Sequence, residues 1–132
     1  MKFMLDTDIC IYMIRQRPES VLERVKSHQI GQIGLSVITL AELEYGVSKS
    51  SDLTKNLEAL EQFVSLLEVA SFDRPATLIY GRIRSTLEKG GHPIGSMDLL
   101  IAAHALSLDV RLVTNNVKEF KRVPGLRIEN WA

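Results

Sequence analysis

The sequence predicts an α/β domain: a short, mainly parallel sheet flanked by helices in a three-layer α/β/α arrangement. Three observations point there. Short apolar runs alternate with longer stretches of helical period along the chain, the pattern of strands joined by crossover helices. The helical stretches outweigh the strands in length. The 132 residues suffice for one buried core, and no repeat, low-complexity tract or Pro/Gly/Ser-rich linker divides them, so 1–132 reads as a single domain.

Each element has its own signal. Phe3-Met4-Leu5 is an apolar run expected to be a buried strand. Ile9, Tyr12 and Met13 then recur at helical spacing up to Pro18. From Glu19 to His28, Val21, Leu22 and Val25 share one helical face. Ile33-Gly34-Leu35 is the second strand. Ile38 to Val47 is helical, with Leu40, Leu43 and Val47 on one stripe. Leu53 to Leu67 is an amphipathic helix through Leu57, Leu60, Phe63 and Val64. Glu68-Val69-Ala70 is the third strand. Pro75 opens the next helix, a favoured place for proline, and Gly90-Gly91 closes it after Lys89. Met97 to Leu108 is apolar nearly all round, as a deeply packed helix would be. Arg111 to Thr114 and Leu126 to Ile128 complete the strands.

Composition narrows the classes of function. Sixteen Lys and Arg offset sixteen Asp and Glu, which excludes the broad positive field of a polybasic binder but leaves room for a local patch. A lone cysteine, Cys10, excludes a disulfide scaffold and fits a reducing cytoplasm. Asp6 interrupts the first apolar run too early for a signal peptide, and no apolar stretch approaches the ~18 residues of a spanning helix. The expectation is a soluble cytoplasmic protein.

In open α/β sheets ligands bind beyond the carboxyl ends of the strands, so the polar residues that follow each strand carry the chemistry. Asp6, Thr7 and Asp8 follow the first. Ser36 and Thr39, with Glu42 in the next helix, follow the second. Asp98 opens the most apolar helix. Thr114, Asn115, Asn116 and Glu119 follow the fourth strand. Carboxylates gathered at one edge repel each other and stay ionised only around a cation. An oxygen-only donor set suits Mg²⁺ or Mn²⁺ rather than Zn²⁺. Such a site suits phosphodiester hydrolysis.

Each residue also has a plainer reading. Asp6 is a preferred N-cap, Thr39 and Glu42 fit a capping box, and Ser96 with Asp98 fits a helix start. Thr114-Asn115-Asn116 fits a strand-to-turn signal. Capping explains each residue alone, but not why all of them follow strands.

Taken together, the motifs resemble those of PIN domains. Leu5-Asp6-Thr7-Asp8 is similar to the first motif, and Ser36-Val37-Ile38-Thr39-Leu40-Ala41-Glu42 through Gly46 to the second. Gly95-Ser96-Met97-Asp98 through Ala105 resembles the third. Leu112-Val113-Thr114-Asn115-Asn116 through Phe120, followed by Val123-Pro124-Gly125-Leu126, resembles the fourth. The match spans essentially the whole chain, and within PIN domains it resembles the VapC toxins of bacterial toxin–antitoxin pairs.

The resemblance implies a Mg²⁺- or Mn²⁺-dependent endoribonuclease in which Asp6, Glu42 and Asp98 form the metal-binding triad. The family's fourth acidic position falls here on Asn116, whose neutral amide is a weaker ligand, so the number of metals stays open. Glu119, one helical turn on, is the candidate to supply the missing charge, with Asp8 and Thr114 in supporting roles. The resemblance further implies a VapB-type antitoxin, a homodimer and a structured RNA target. That target is a tRNA by the family's habit, and initiator tRNA by likeness to the enterobacterial branch.

Phosphate contacts need Lys and Arg. Lys118, Lys121, Arg122 and Arg127 in the last segment, and Arg82, Arg84 and Lys89 before Gly90, are the candidates. His104, inside an apolar helix, reads as a packed, hydrogen-bonded histidine. Two rivals remain. One is a phosphatase of haloacid-dehalogenase type, with Asp6 as nucleophile and Asp8 as general acid. The other is a PIN-like binding module without catalysis.

Overall fold

The computed structural model describes the backbone of residues 1–132 and every side chain except that of Ile30. The chain runs β1 (Phe3–Leu5), α1 (Thr7–Arg15), α2 (Glu19–Lys26), β2 (Ile33–Ser36), α3 (Val37–Ser48) and α4 (Leu53–Val64). It continues through β3 (Glu68–Ala70), α5 (Arg74–Lys89), α6 (Ser96–Leu108), β4 (Arg111–Val113), α7 (Val117–Phe120) and β5 (Ile128–Glu129). The strands form one five-stranded sheet in the order β3-β2-β1-β4-β5, every pairing parallel.

The register places the site. Leu5 lies beside Leu35 on one side and Val113 on the other. One residue further, Asp6, Ser36 and Thr114 therefore emerge at one level from three neighbouring strands. The chain leaves β1 for β2 on one side and later adds β4 on the other, so the strand order reverses next to β1. That reversal opens the crevice where parallel sheets bind ligands.

Side chains alternate across the sheet and build two cores. Met4 and Leu112 face α5 and α6, packing with Ile83, Leu87, Leu99, Ile101 and Phe120. Leu5, Leu35 and Val113 face α1 to α4, packing with Ile9, Cys10, Val21, Leu43, Leu60 and Trp131. This is the predicted α/β/α layering. Gly34 is demanded by close approach: a Cβ there would stand 2.7 Å from the Glu68 carbonyl oxygen of β3 and would also strike Met1.

Several boundaries differ from the sequence reading by a few residues, and one short helix was not foreseen. The last strand is Ile128–Glu129 rather than Leu126–Ile128. Gly125 takes a left-handed φ of 79°, and Leu126 donates back to the Val123 carbonyl, so the turn uses up Leu126 before pairing begins. The helix expected to reach Leu67 ends at Val64, and Leu67 N–H closes a turn onto Val64. The short α7 carries too few residues to show a period in sequence.

The capping expectations divide. Asp6 does cap α1, its Oδ1 accepting the Ile9 N–H at 3.0 Å. The capping box of Thr39 and Glu42 does not form. Ser36 caps α3 by accepting the Ile38 N–H, which leaves Thr39 buried inside the helix. Nor does Ser96 cap α6: Gly95 holds that position and no side chain bonds there.

Candidate active site

The residues that follow the strands meet at the carboxyl edge of the sheet. Asp6 is almost fully buried there, and its Oδ2 accepts the hydroxyl of Thr114, itself wholly buried. Asp6 thus has one oxygen held by its own helix and the other by the end of β4. Glu42 reaches the same mouth from α3, where the Thr7 hydroxyl donates to its Oε1 at 2.5 Å. Asp98 comes from the first turn of α6.

Thr114 Oγ1 accepts the Asn116 N–H at 2.9 Å, so one hydroxyl fixes both Asp6 and the turn that follows β4. Asn116 Nδ2 donates to Glu119 Oε2 at 2.9 Å, and the Gly95 N–H donates to Glu119 Oε1 at 2.8 Å. Glu119 also stands close enough to Asp98 for each carboxyl to act on the other. It therefore ties the α7 segment to the loop that delivers α6. A Cβ on Gly95 would lie 3.5 Å from Glu119 Oε1 and 3.9 Å from Asp98 Oδ2, ordinary contact distances that put this loop directly against both carboxyls.

The carboxyls act on one another. Burial raises Asp6 to about 6, the Asp8 and Glu42 charges adding to it while the bonds from Thr114 and Ile9 oppose it. Asp98 is raised to about 7, by burial first and then by Glu119, Glu42 and Asp6. Glu119 goes the other way. Burial pulls it up, but the Gly95 amide, the Asn116 side chain, the neighbouring Asp98 and the Arg122 charge outweigh that and hold it below the ordinary range.

Among the described residues, no three His, Cys, Asp or Glu side chains are drawn in tightly enough to cage an ion. Each carboxyl is instead engaged by a hydroxyl, amide or acid neighbour. The donor chemistry nevertheless fits a hard divalent cation. The donors are oxygens only, and burial with the neighbouring acid charges raises Asp6 and Asp98, a cost that a cation removes.

The structure brings together Asp6, Glu42, Asp98, Thr114, Asn116 and Glu119. Asp8 lies on the exposed side of α1 and acts on the cluster through its charge alone. The basic candidates are all exposed, but Arg84, Arg122 and Arg127 are already engaged. Arg84 bonds Glu88 and Tyr80, and Arg122 donates to the Pro93 carbonyl at 3.0 Å. Arg127 does not join the others: it pairs with Asp109 at the opposite end of the sheet. Sequence reasoning did not assign the Thr7 hydroxyl or the Gly95 amide. Thr7 sits in the Asp-Thr-Asp run, but its reach to Glu42, 35 residues away, has no local signal.

Beside Thr7 and Glu42 a groove of about 570 Å³ opens between α1, α3 and α4, lined by Ile11, Ile14, Tyr45 and Val47 among others. Leu53 and Leu57 of α4 are also exposed. The first four helices thus leave apolar surface uncovered. No described helix is long and apolar enough to cross a membrane.

Residues 3–126 match the PIN domain family. Ribonuclease VapC2 of Rickettsia felis is 47% identical over 132 residues, covering 99% of this chain and 98% of that protein. The tRNA(fMet)-specific endonuclease VapC of Shigella flexneri is 46% identical, covering 100% and 99%. Among solved structures, DNA-bound VapBC from Salmonella typhimurium matches with a TM-score of 0.95 at 45% identity, covering 100% of this chain and 99% of that one. VapBC2 of Rickettsia felis bound to a promoter DNA fragment matches at 0.93 and 45% identity, each chain covered fully. The chain belongs to the PIN-domain family, in its VapC branch. That membership sets aside the haloacid-dehalogenase reading of Asp6 and Asp8.

Proposed function

We propose that this chain is the toxin of a type II toxin–antitoxin pair, a Mg²⁺- or Mn²⁺-dependent endoribonuclease that cuts structured RNA, tRNA first and initiator tRNA as the specific candidate. The observation that carries the reading is the convergence of Asp6, Glu42 and Asp98 from three separate elements on the crevice beside β1, where each raises or is raised by another's charge. The names of the VapC ribonuclease and tRNA(fMet) endonuclease relatives support the substrate class.

In this reading Asp6, Glu42 and Asp98 hold the cation, and Asn116 and Glu119 order its far side. When bound, the cation supplies the positive charge that acidifies water and offsets the charge building on the phosphodiester. Thr114 keeps the Asp6 carboxyl turned to the mouth, and Thr7 does the same for Glu42. Lys118 and Lys121 beside Glu119, and Arg82 on α5, carry no ionic partner among the described residues and are the phosphate contacts; Arg84 and Arg122 are secondary because they are engaged. The partner is a VapB-type antitoxin, as in the VapBC complexes it resembles, and the chain works as a homodimer in the cytoplasm.

The test is incubation of the antitoxin-free protein with total tRNA and Mg²⁺, beside Asp6→Asn and an EDTA control. Discrete fragments from wild type alone, lost with EDTA, are expected. Intact RNA throughout, with Mn²⁺ binding retained, would favour a non-catalytic binding module.

A further inference from the structure

The acidic edge needs Glu42 on α3 and Asp98 on α6 to face one another, yet among the described residues no hydrogen bond joins those two side chains. A tie lies beneath them. His104 is on α6, six residues beyond Asp98, and fully buried. Its Nδ1 stands 2.7 Å from the hydroxyl of Ser36, which is fully buried at the end of β2. The same hydroxyl accepts the Ile38 N–H at 3.0 Å and caps α3. A continuous hydrogen-bonded path therefore runs from the first turn of α3 through the end of β2 to the middle of α6. Phe72 packs edge-on against the imidazole at 5.2 Å and limits the ring's choice of orientation.

Packing alone does not explain this histidine. Its helical neighbours Ile101, Ala102, Ala103 and Ala105 are all buried and apolar. A leucine would fill such a place without desolvating two ring nitrogens. Nε2 of His104 and Oγ1 of Thr39, one on each of the two helices, make no hydrogen bond of good geometry among the described residues, although His104 also faces the Ser71 backbone. A polar group kept at that cost across a helix–helix seam points to a geometric role, since directional bonds fix a relative position that apolar contacts leave adjustable.

We infer that His104 is a positioning residue: through Ser36 it sets α3 against α6, so that Glu42 and Asp98 meet the cation in one geometry. The inference rests on the nuclease reading, and the experiment separates the two.

Cleavage kinetics on tRNA and Mn²⁺ affinity by calorimetry are measured for wild type, His104→Leu, His104→Asn, Ser36→Ala and the double variant His104→Leu/Ser36→Ala. Asparagine can place an amide near the Nδ1 position; leucine keeps the volume and loses the bond. His104→Leu and Ser36→Ala should each lower kcat by about 10- to 100-fold at nearly unchanged KM, and weaken Mn²⁺ by a similar factor, the usual scale for groups that orient ligands. The double variant should lose little more than either single one. His104→Asn should recover most of the loss. Wild-type kcat and Mn²⁺ affinity in the Leu or Ala variant would overturn the inference, as would losses that multiply in the double variant or an Asn variant no better than Leu. Should His104→Leu fail to fold, Ser36→Ala and His104→Asn decide by the same values. An inactive wild type would defeat the nuclease reading, and the Mn²⁺ measurements would still judge the positioning role.

Discussion

At the scale of single residues, the site is built from side chains that each do two things. Asp6 caps α1 and faces the mouth; Thr114 fixes Asp6 and closes the turn after β4. Such residues are poor places to separate stability from activity, so the variants that test the triad must be isosteric. Asp6→Asn, Glu42→Gln and Asp98→Asn keep shape and remove charge. Each should abolish tRNA cleavage while circular dichroism shows a folded protein. Activity at the wild-type level in Asp98→Asn would end the triad assignment. Asn116→Ala should cost less, about 10- to 100-fold, because Asn116 contributes through Glu119.

At the scale of elements, the C-terminal tail closes the α1–α4 core. Trp131 is 1% exposed, stacks on His28 at 4.8 Å and 8°, lies 5.3 Å from Phe3 and sits under the Arg24 guanidinium. Its indole N–H donates to Glu129, which Arg111 also holds at 2.7 Å. Truncation to alanine leaves a large cavity and exposes Phe3 of β1, at a cost of about 3–5 kcal/mol. Trp131→Ala is therefore expected to lower the melting temperature by more than ~10 °C in calorimetry. At the opposite sheet edge, Gly34→Ala would press on the β3 backbone, and it should destabilise more than Gly81→Ala, where a Cβ meets nothing within 4 Å.

At the scale of the whole molecule, the acidic cluster makes the metal-free protein sensitive to pH. Asp6 at about 6 and Asp98 at about 7 lie above their unfolded values near 3.8, so the folded state binds more protons than the unfolded one in between. The stability they contribute is fully present below about pH 4 and is lost as pH rises through 6 and 7. His104 pulls oppositely: burial lowers its pKa, so its neutral form is favoured above the ordinary histidine range and that contribution fades as pH falls. Glu119 and Glu129, both held below the ordinary range, act only at the acid end. The clean measurement is a difference. Asp98→Asn should raise the melting temperature of metal-free protein at pH 8 and change it little at pH 5. Equal effects at both values would show that Asp98 carries no strained charge. Added Mg²⁺ should stabilise wild type more at pH 8 than at pH 5, since its ligands must be deprotonated.

How much of this could be read along the chain follows from the range of each interaction. Strand runs such as Phe3-Met4-Leu5 and the amphipathic pattern of Leu53 to Val64 are local, and periodicity reveals them. The gathering of Asp6, Glu42 and Asp98 at one sheet edge was legible because each stands in a recognisable motif just after a strand or inside a helix start. The end of β5 was not, because Gly125 and the Leu126–Val123 turn decide it through backbone geometry. Nor were the bonds of Thr7 to Glu42 and of Glu119 to Gly95, or the true cap of α3, because these depend on which segments the sheet register sets side by side. By itself the sequence determined the layers, the sheet direction and the acidic residues, since burial patterns and strand-end chemistry are written in local order. Only the tertiary structure decided which hydroxyls and amides hold those acids, that Arg127 lies away from them, and that His104 joins α6 to α3. Contacts between segments 24 to 108 residues apart exist only once the strands have paired.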